Sequence, residues 1–262
     1  MSVSLWMVGE VWDRVTGTQP APPIWEVGAC AGAALLAIAN QPTWHLTRNA
    51  ITIAHEGGHA VVSLLTGRQL QGIQLHADTS GVTLSRGKPT GPGMVATAAA
   101  GYVSPSLLGL GAAWLLTTHH VTAMLWLLLV LLGATFLAIR NAYGVLALLV
   151  TLGTVFAVSY FASMTVQAAF GYATAWFLLL GGVRPVFELQ RQRRQAMRRR
   201  RPLSSDADQL ARLTGLPGGA WVGIFGVACL AALVAGACLL VPPSLVHSVP
   251  SLLHNLPHPT SA

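Results

Sequence analysis

Charge is what this chain has least of. Asp, Glu, Lys and Arg together make up 9% of its 262 residues, and Lys88 is the single lysine. A soluble domain carries about 25% charged residues. So little charge excludes a soluble globular domain, and leaves too little polar sequence for a separate soluble catalytic one. Cysteine is nearly as scarce. Cys30, Cys229 and Cys238 all lie in apolar segments, are odd in number and form no Cys-x-x-Cys pair. That argues against a disulfide framework or a thiolate metal centre and reads as three small buried residues. Lys and Arg are absent from the first thirteen residues, so a basic-start signal peptide is not expected there. What fills the chain is apolar: 53% hydrophobic residues, with a mean hydropathy of +0.59. The expectation is an all-α polytopic membrane protein forming a single membrane-embedded domain over 1–262.

Seven apolar segments are candidate transmembrane helices: 24–40, 44–66, 94–116, 121–139, 142–160, 161–182 and 219–241. Residues 1–23 are mixed and stay unassigned. Residues 242–262 read as a flexible tail, with His247, His254 and His258 as tail residues rather than ligands. The net charge of +7 is clustered, with seven arginines between Arg191 and Arg201. The stretch 184–203 therefore reads as a basic cytoplasmic loop, not a nucleic-acid surface. With that loop inside and seven spans counted, the N-terminus is expected in the cytoplasm and the C-terminus outside. The preference for Arg over Lys fits a GC-rich bacterial genome, and so a bacterial plasma membrane.

Within the second span lies His55-Glu56-Gly57-Gly58-His59. On a helix the two histidines are four residues apart, on one face and one turn from each other. Two imidazoles so placed can share one Zn²⁺, and Glu56 beside them can take the proton from a zinc-bound water. The pattern is that of zinc metalloproteases. Three ionisable groups amid an apolar run call for a functional reason. After Gly67 the pattern changes. Gln69–His76 and Val82–Arg86 alternate polar and apolar residues around the turn cluster Ala77–Gly81, which predicts a β-hairpin within 68–92. The hairpin Gly72–Val82 is a candidate substrate-binding edge, because strand addition is a general way to hold an extended peptide. Near the end, Ser205-Asp206-Ala207-Asp208 opens a short capped helix.

A His-Glu-x-x-His motif on a membrane helix, a following hairpin and a distant aspartate together resemble the site-2 protease class of intramembrane zinc metalloproteases, the M50B-like branch in particular. The resemblance rests on His55–His59, on Gly72–Val82 with Ser80-Gly81-Val82, and on Ser205–Leu210 with Thr214–Pro217. Beside the about six to seven transmembrane helices counted from the apolar segments, it implies His55 and His59 on zinc and Glu56 as general base. It also implies a carboxylate of the Asp206 segment as third ligand and membrane-protein substrates in the bilayer. The Asn-Pro-Asp-Gly and Leu-Asp-Gly settings of better-known members do not occur, so Asp206 and Asp208 both stand as candidates. Asp208 is at N3 of the capped helix and four residues before Arg212, an ion-pair spacing on a polar face. Asp206 shares its face with Leu210 and Leu213 and needs a cation, which favours it as the metal ligand. Two rival readings are a transporter or ion channel with buried His and Glu, and a non-catalytic zinc-binding membrane scaffold.

Overall fold

The structure is a computed structural model that describes residues 12, 13 and 15–241. Its elements are α1 (Ile24–Ala39), α2 (Gln41–Leu65), β1 (Gln69–Leu75), β2 (Gly81–Arg86), α3 (Pro92–Thr117), α4 (Val121–Ala138), α5 (Ala142–Phe161), α6 (Met164–Arg198), α7 (Asp206–Thr214) and α8 (Gly218–Leu240). The tail and the first eleven residues lie outside the described residues. Five helices are long and apolar enough to cross a membrane: α3, α4, α5, α6 and α8. The fold class read from the sequence therefore holds, with a two-stranded antiparallel hairpin directly after α2.

The first two sequence segments are not two independent spans. α1 and α2 meet at a 103° bend and qualify only together, for a total of up to six. The local cause is Asn40, whose backbone is extended and whose side chain accepts a hydrogen bond from Thr43 N (3.2 Å), capping α2, with Pro42 in the first helical turn. α2 itself carries His45, Arg48, Asn49, His55, Glu56 and His59, which makes it too polar to span alone.

Packing gives the two ends of α1 different surroundings. At its start, α1 is buried with the α3–α4 turn and the end of α8: Val27 and Cys30 share a cluster with Leu116, Val121 and Leu240. Just before it, Gln19 donates to Thr122 (2.7 Å). At its other end, Ile38 offers its carbonyl to Arg184 on α6. The start of α1 and the arginine-rich end of α6 thus lie at opposite ends of the bundle, where the sequence reading put them on one side. By length and composition the bent pair counts as at most one span, against the two expected from 24–40 and 44–66.

The basic stretch is not a loop over most of its length. α6 continues helically to Arg198. Arg, Gln, Met and Glu are good helix formers, and Arg184 and Glu188 make an i, i+4 pair (3.0 Å). The chain then turns back at Arg200 (φ 50°), and the short α7 docks against α3 and α8. Small residues such as Gly109 set the helix spacing. A Cβ on Gly109 would sit 2.8 Å from the Leu179 backbone nitrogen. Cys30 and Cys229 are buried as expected, whereas Cys238 faces outward.

Candidate metal centre

His55 and His59 project from α2 toward α3 and α7. There His59 Nε2 lies 3.1 Å from His55 Nε2, and each lies 3.3 Å from Asp206 Oδ2. The three atoms form a nearly equilateral triangle. Tetrahedral zinc with bonds of 2.0–2.1 Å separates its ligand atoms by about 3.3 Å. This donor set, two imidazole nitrogens and a carboxylate oxygen, could therefore hold a metal ion. The second ring nitrogen of His59 is 2.6 Å from the Thr97 carbonyl on α3. That contact fixes the proton on Nδ1 and leaves the Nε2 lone pair directed at the triangle. Tyr102 meets the His55 ring edge to face at 4.7 Å and stacks on Phe225.

Both aspartates of α7 face inward, toward different partners. Asp208 is buried, 5% exposed, and pairs with Arg193 of α6. Its other oxygen accepts from Ser205 N (3.1 Å), completing the capping box. The sequence reading of Asp208 on a polar face beside Arg212 is thus corrected, since Arg212 instead donates to the Leu203 carbonyl (3.4 Å). Asp206, with a side chain 26% exposed, is the one that meets the imidazoles. The preference for Asp206 agrees with this geometry, but the burial argument behind it does not. Arg193, fifteen residues upstream on a helix read as a loop, gave no sequence signal as the partner.

Glu56 is buried, 4% exposed, and turned toward the hairpin. Thr83 of β2 donates to its Oε2 (2.6 Å). Among the described residues no hydrogen bond reaches Oε1, and Gly81 leaves the space beside it: a Cβ there would lie 2.7 Å from that oxygen. Gly101 plays the same part for the histidines, since its Cβ would stand 2.3 Å from His59 Nε2 and 2.5 Å from His55 Nε2. Ser104 Oγ is 2.9 Å from the Gly101 carbonyl, which Pro105 cannot serve for want of an N–H. Sequence reasoning missed Thr83, Thr97, Gly101 and Tyr102. Alternation along Val82–Arg86 was the one available signal, placing Thr83 on the face opposite Val82 and Leu84.

Gly57 and Gly58 behave differently. Gly58 is where α3 closes in, since a Cβ would collide with Ser104. At Gly57 a Cβ would meet only Thr135 Oγ1 at 3.7 Å, and both glycines line an apolar cavity of about 1220 Å³ bounded by α1, α2, α3, α4, α5 and α6. On the hairpin, the outer edge of β1 is taken by the α4–α5 connection. Ile73 bridges Ile139, and Arg140 N donates to the Ile73 carbonyl (2.9 Å). Among the described residues no strand pairs with the outer edge of β2, where Val82 and Leu84 are exposed.

A family model described as Peptidase M50B-like matches residues 28–236. Comparison with curated proteins, and with solved structures, gave no match.

Proposed function

Because this chain belongs to the M50B-like peptidase family and is thereby a membrane-embedded metalloendopeptidase, we propose that His55, His59 and Asp206 hold zinc and that Glu56 is the general base for peptide-bond hydrolysis. Membership in a peptidase family speaks against the transporter, channel and inert-scaffold readings. The observation that carries the proposal is the triangle of His55, His59 and Asp206, with edges of 3.1–3.3 Å, beside a buried glutamate. Zinc bound there would polarise a scissile carbonyl and lower the pKa of water toward about 7. Glu56 takes the proton of the attacking water at Oε1 and returns it to the leaving amine, while Thr83 holds Oε2 and so orients the carboxylate. The Thr97 carbonyl keeps His59 in its ligating tautomer.

The substrate in this reading is a transmembrane segment of another membrane protein, unwound near the scissile bond. The free edge of β2 supports it, because an extended peptide added there would run past Thr83 and therefore past Glu56. The direct test compares membrane-protein fragments in cells carrying wild type and Glu56→Gln. Fragments that vanish with the variant support the reading, and identical fragment sets reject it.

Gly101→Ala is expected to weaken metal binding by at least the 10–100-fold typical of disturbed outer-shell contacts. Its methyl would occupy the space of both ligating nitrogens. Metal content after dialysis against a graded chelator series checks this, and unchanged retention would remove Gly101 from the site.

For topology, the positive-inside rule puts the arginine end of α6 in the cytoplasm. With the start of α1 packed at the opposite end of the bundle, we infer that residue 18 is outside, in place of the expected cytoplasmic N-terminus. Thr18→Cys and Ser204→Cys, both at exposed positions, are expected to label with an impermeant thiol reagent from opposite sides of the membrane. Labelling from the same side would restore the seven-span count.

A further inference from the structure

At the α1–α2 break a second polar assembly lies apart from the metal centre. Glu188 of α6 accepts from Trp44 Nε1 (3.1 Å) and from Arg184 Nε (3.0 Å) at Oε1, and pairs with Arg48 (3.1 Å) at Oε2. Arg184 also lies over the Trp44 ring, 4.7 Å from its centroid, and reaches the Ile38 carbonyl and the Gln41 side chain. One glutamate thus holds the bend against α6, through two hydrogen bonds at Oε1 and an ion pair at Oε2. Beside it is a recess of about 630 Å³ between α1, α2, α6 and α8, with Arg48, Arg184 and Arg191 in its lining and Glu188 as its one acid. The lining carries two positive charges beyond what Glu188 neutralises. A guanidinium has five N–H donors, and Arg48 meets Glu188 as an ion pair at 3.1 Å. Gln192 and Gln195 add neutral donors, while Leu35, Val183 and Leu233 form an apolar wall.

The level of the recess matters as much as its charge. From Met164 to Val183 α6 is apolar for about 20 residues, the length that crosses a bilayer core. Arg184 follows at once. The recess therefore opens at the membrane boundary, with its arginines at headgroup depth and its apolar wall toward the acyl chains. Basic pockets between transmembrane helices at this level recognise anionic lipid headgroups. We propose that this recess binds the phosphate headgroup of an anionic phospholipid, held by Arg48 and Arg191 on the framework that Arg184 and Glu188 build. Arg48 stands two helical turns before His55 on the same face of α2, so a lipid seated there braces the helix that carries both histidines. The inference does not depend on the assignment of Glu56 or of zinc.

The test uses the full chain purified in mixed micelles, with phosphatidylglycerol or phosphatidylcholine as added lipid. Bound lipid is read by native mass spectrometry, and thermal unfolding of the same samples is followed in parallel. Wild type is expected to prefer phosphatidylglycerol, and Arg48→Gln/Arg191→Gln to lose about fivefold of that preference per arginine. Arg199→Gln/Arg200→Gln removes the same charge outside the recess and is expected to keep the preference. Should the first variant not fold, the exposed Arg191→Gln alone is read for its single step. Equal binding of the two lipids by wild type, or equal losses in both double variants, overturns the site. Displacement of the lipid by millimolar inorganic phosphate would make it a site for free anions and overturn the lipid assignment.

Discussion

Glu56→Gln is expected to lower turnover by about 10²–10⁴-fold, the usual worth of a positioned general base, with metal content and folded yield unchanged. The substitution keeps the shape that the pocket demands. The glutamine amide still offers a carbonyl oxygen to the Thr83 hydroxyl, and the space left by Gly81 still accommodates the other atom. What it loses is the ability to accept a proton. Glu56 is not one of the three groups whose donor atoms converge, so the metal has no reason to leave. The measurement is cleavage of a membrane-protein substrate in proteoliposomes, together with the metal-to-protein ratio of the same preparation. An unaltered rate rejects Glu56 as base. Loss of the metal would instead make it a ligand.

The second large effect separates the two aspartates of α7. Asp206→Ala is expected to abolish tight metal retention and activity while leaving the fold in place. Asp208→Ala is expected to destabilise the protein by about 3–5 kcal/mol, the cost of breaking a buried ion pair. That loss leaves the Arg193 guanidinium buried opposite nothing and removes the capping box of α7. It exceeds the roughly 1 kcal/mol that loss of a helix cap alone would cost. Replacing both partners with apolar side chains, Arg193→Met with Asp208→Ala, is expected to recover much of the stability, because no unpaired charge then remains. Thermal unfolding in detergent and metal analysis on all three proteins decide the matter. Metal loss in Asp208→Ala with an intact site in Asp206→Ala would exchange the two roles.

Much of this protein follows from spacing and composition alone. Membrane residence is a matter of total polarity, which composition states directly. His55, Glu56 and His59 are local to one helix turn, so helical periodicity is enough to bring them together. The hairpin follows from two-residue alternation and the capped α7 from Ser205 and Asp208, since each is built from neighbouring residues. The end of α2 at Gly67 is likewise local, a positive φ of 73° at a glycine.

Everything that depended on how distant segments meet was decided by tertiary structure. Asn40 and Pro42 mark locally where α1 ends and α2 starts, but the way the bend is held depends on Glu188 and Arg184, about 140 residues away, closing on Trp44, Gln41 and Ile38. The count of spans, and with it the side on which α1 begins, therefore could not be settled by hydropathy. The buried pair of Asp208 with Arg193 required knowing that the arginine run is helix and not loop. Local spacing pointed to Arg212, because an i, i+4 partner is visible in sequence and a partner on another helix is not. Thr83 reaches Glu56, and Gly101 leaves room for the histidines, only because α3 and the hairpin pack on α2. Local patterns specify which groups can do chemistry, because helix and strand geometry is short-ranged. The surroundings that orient, cap and neutralise those groups come from chain-distant contacts, and those exist only once the helices have packed.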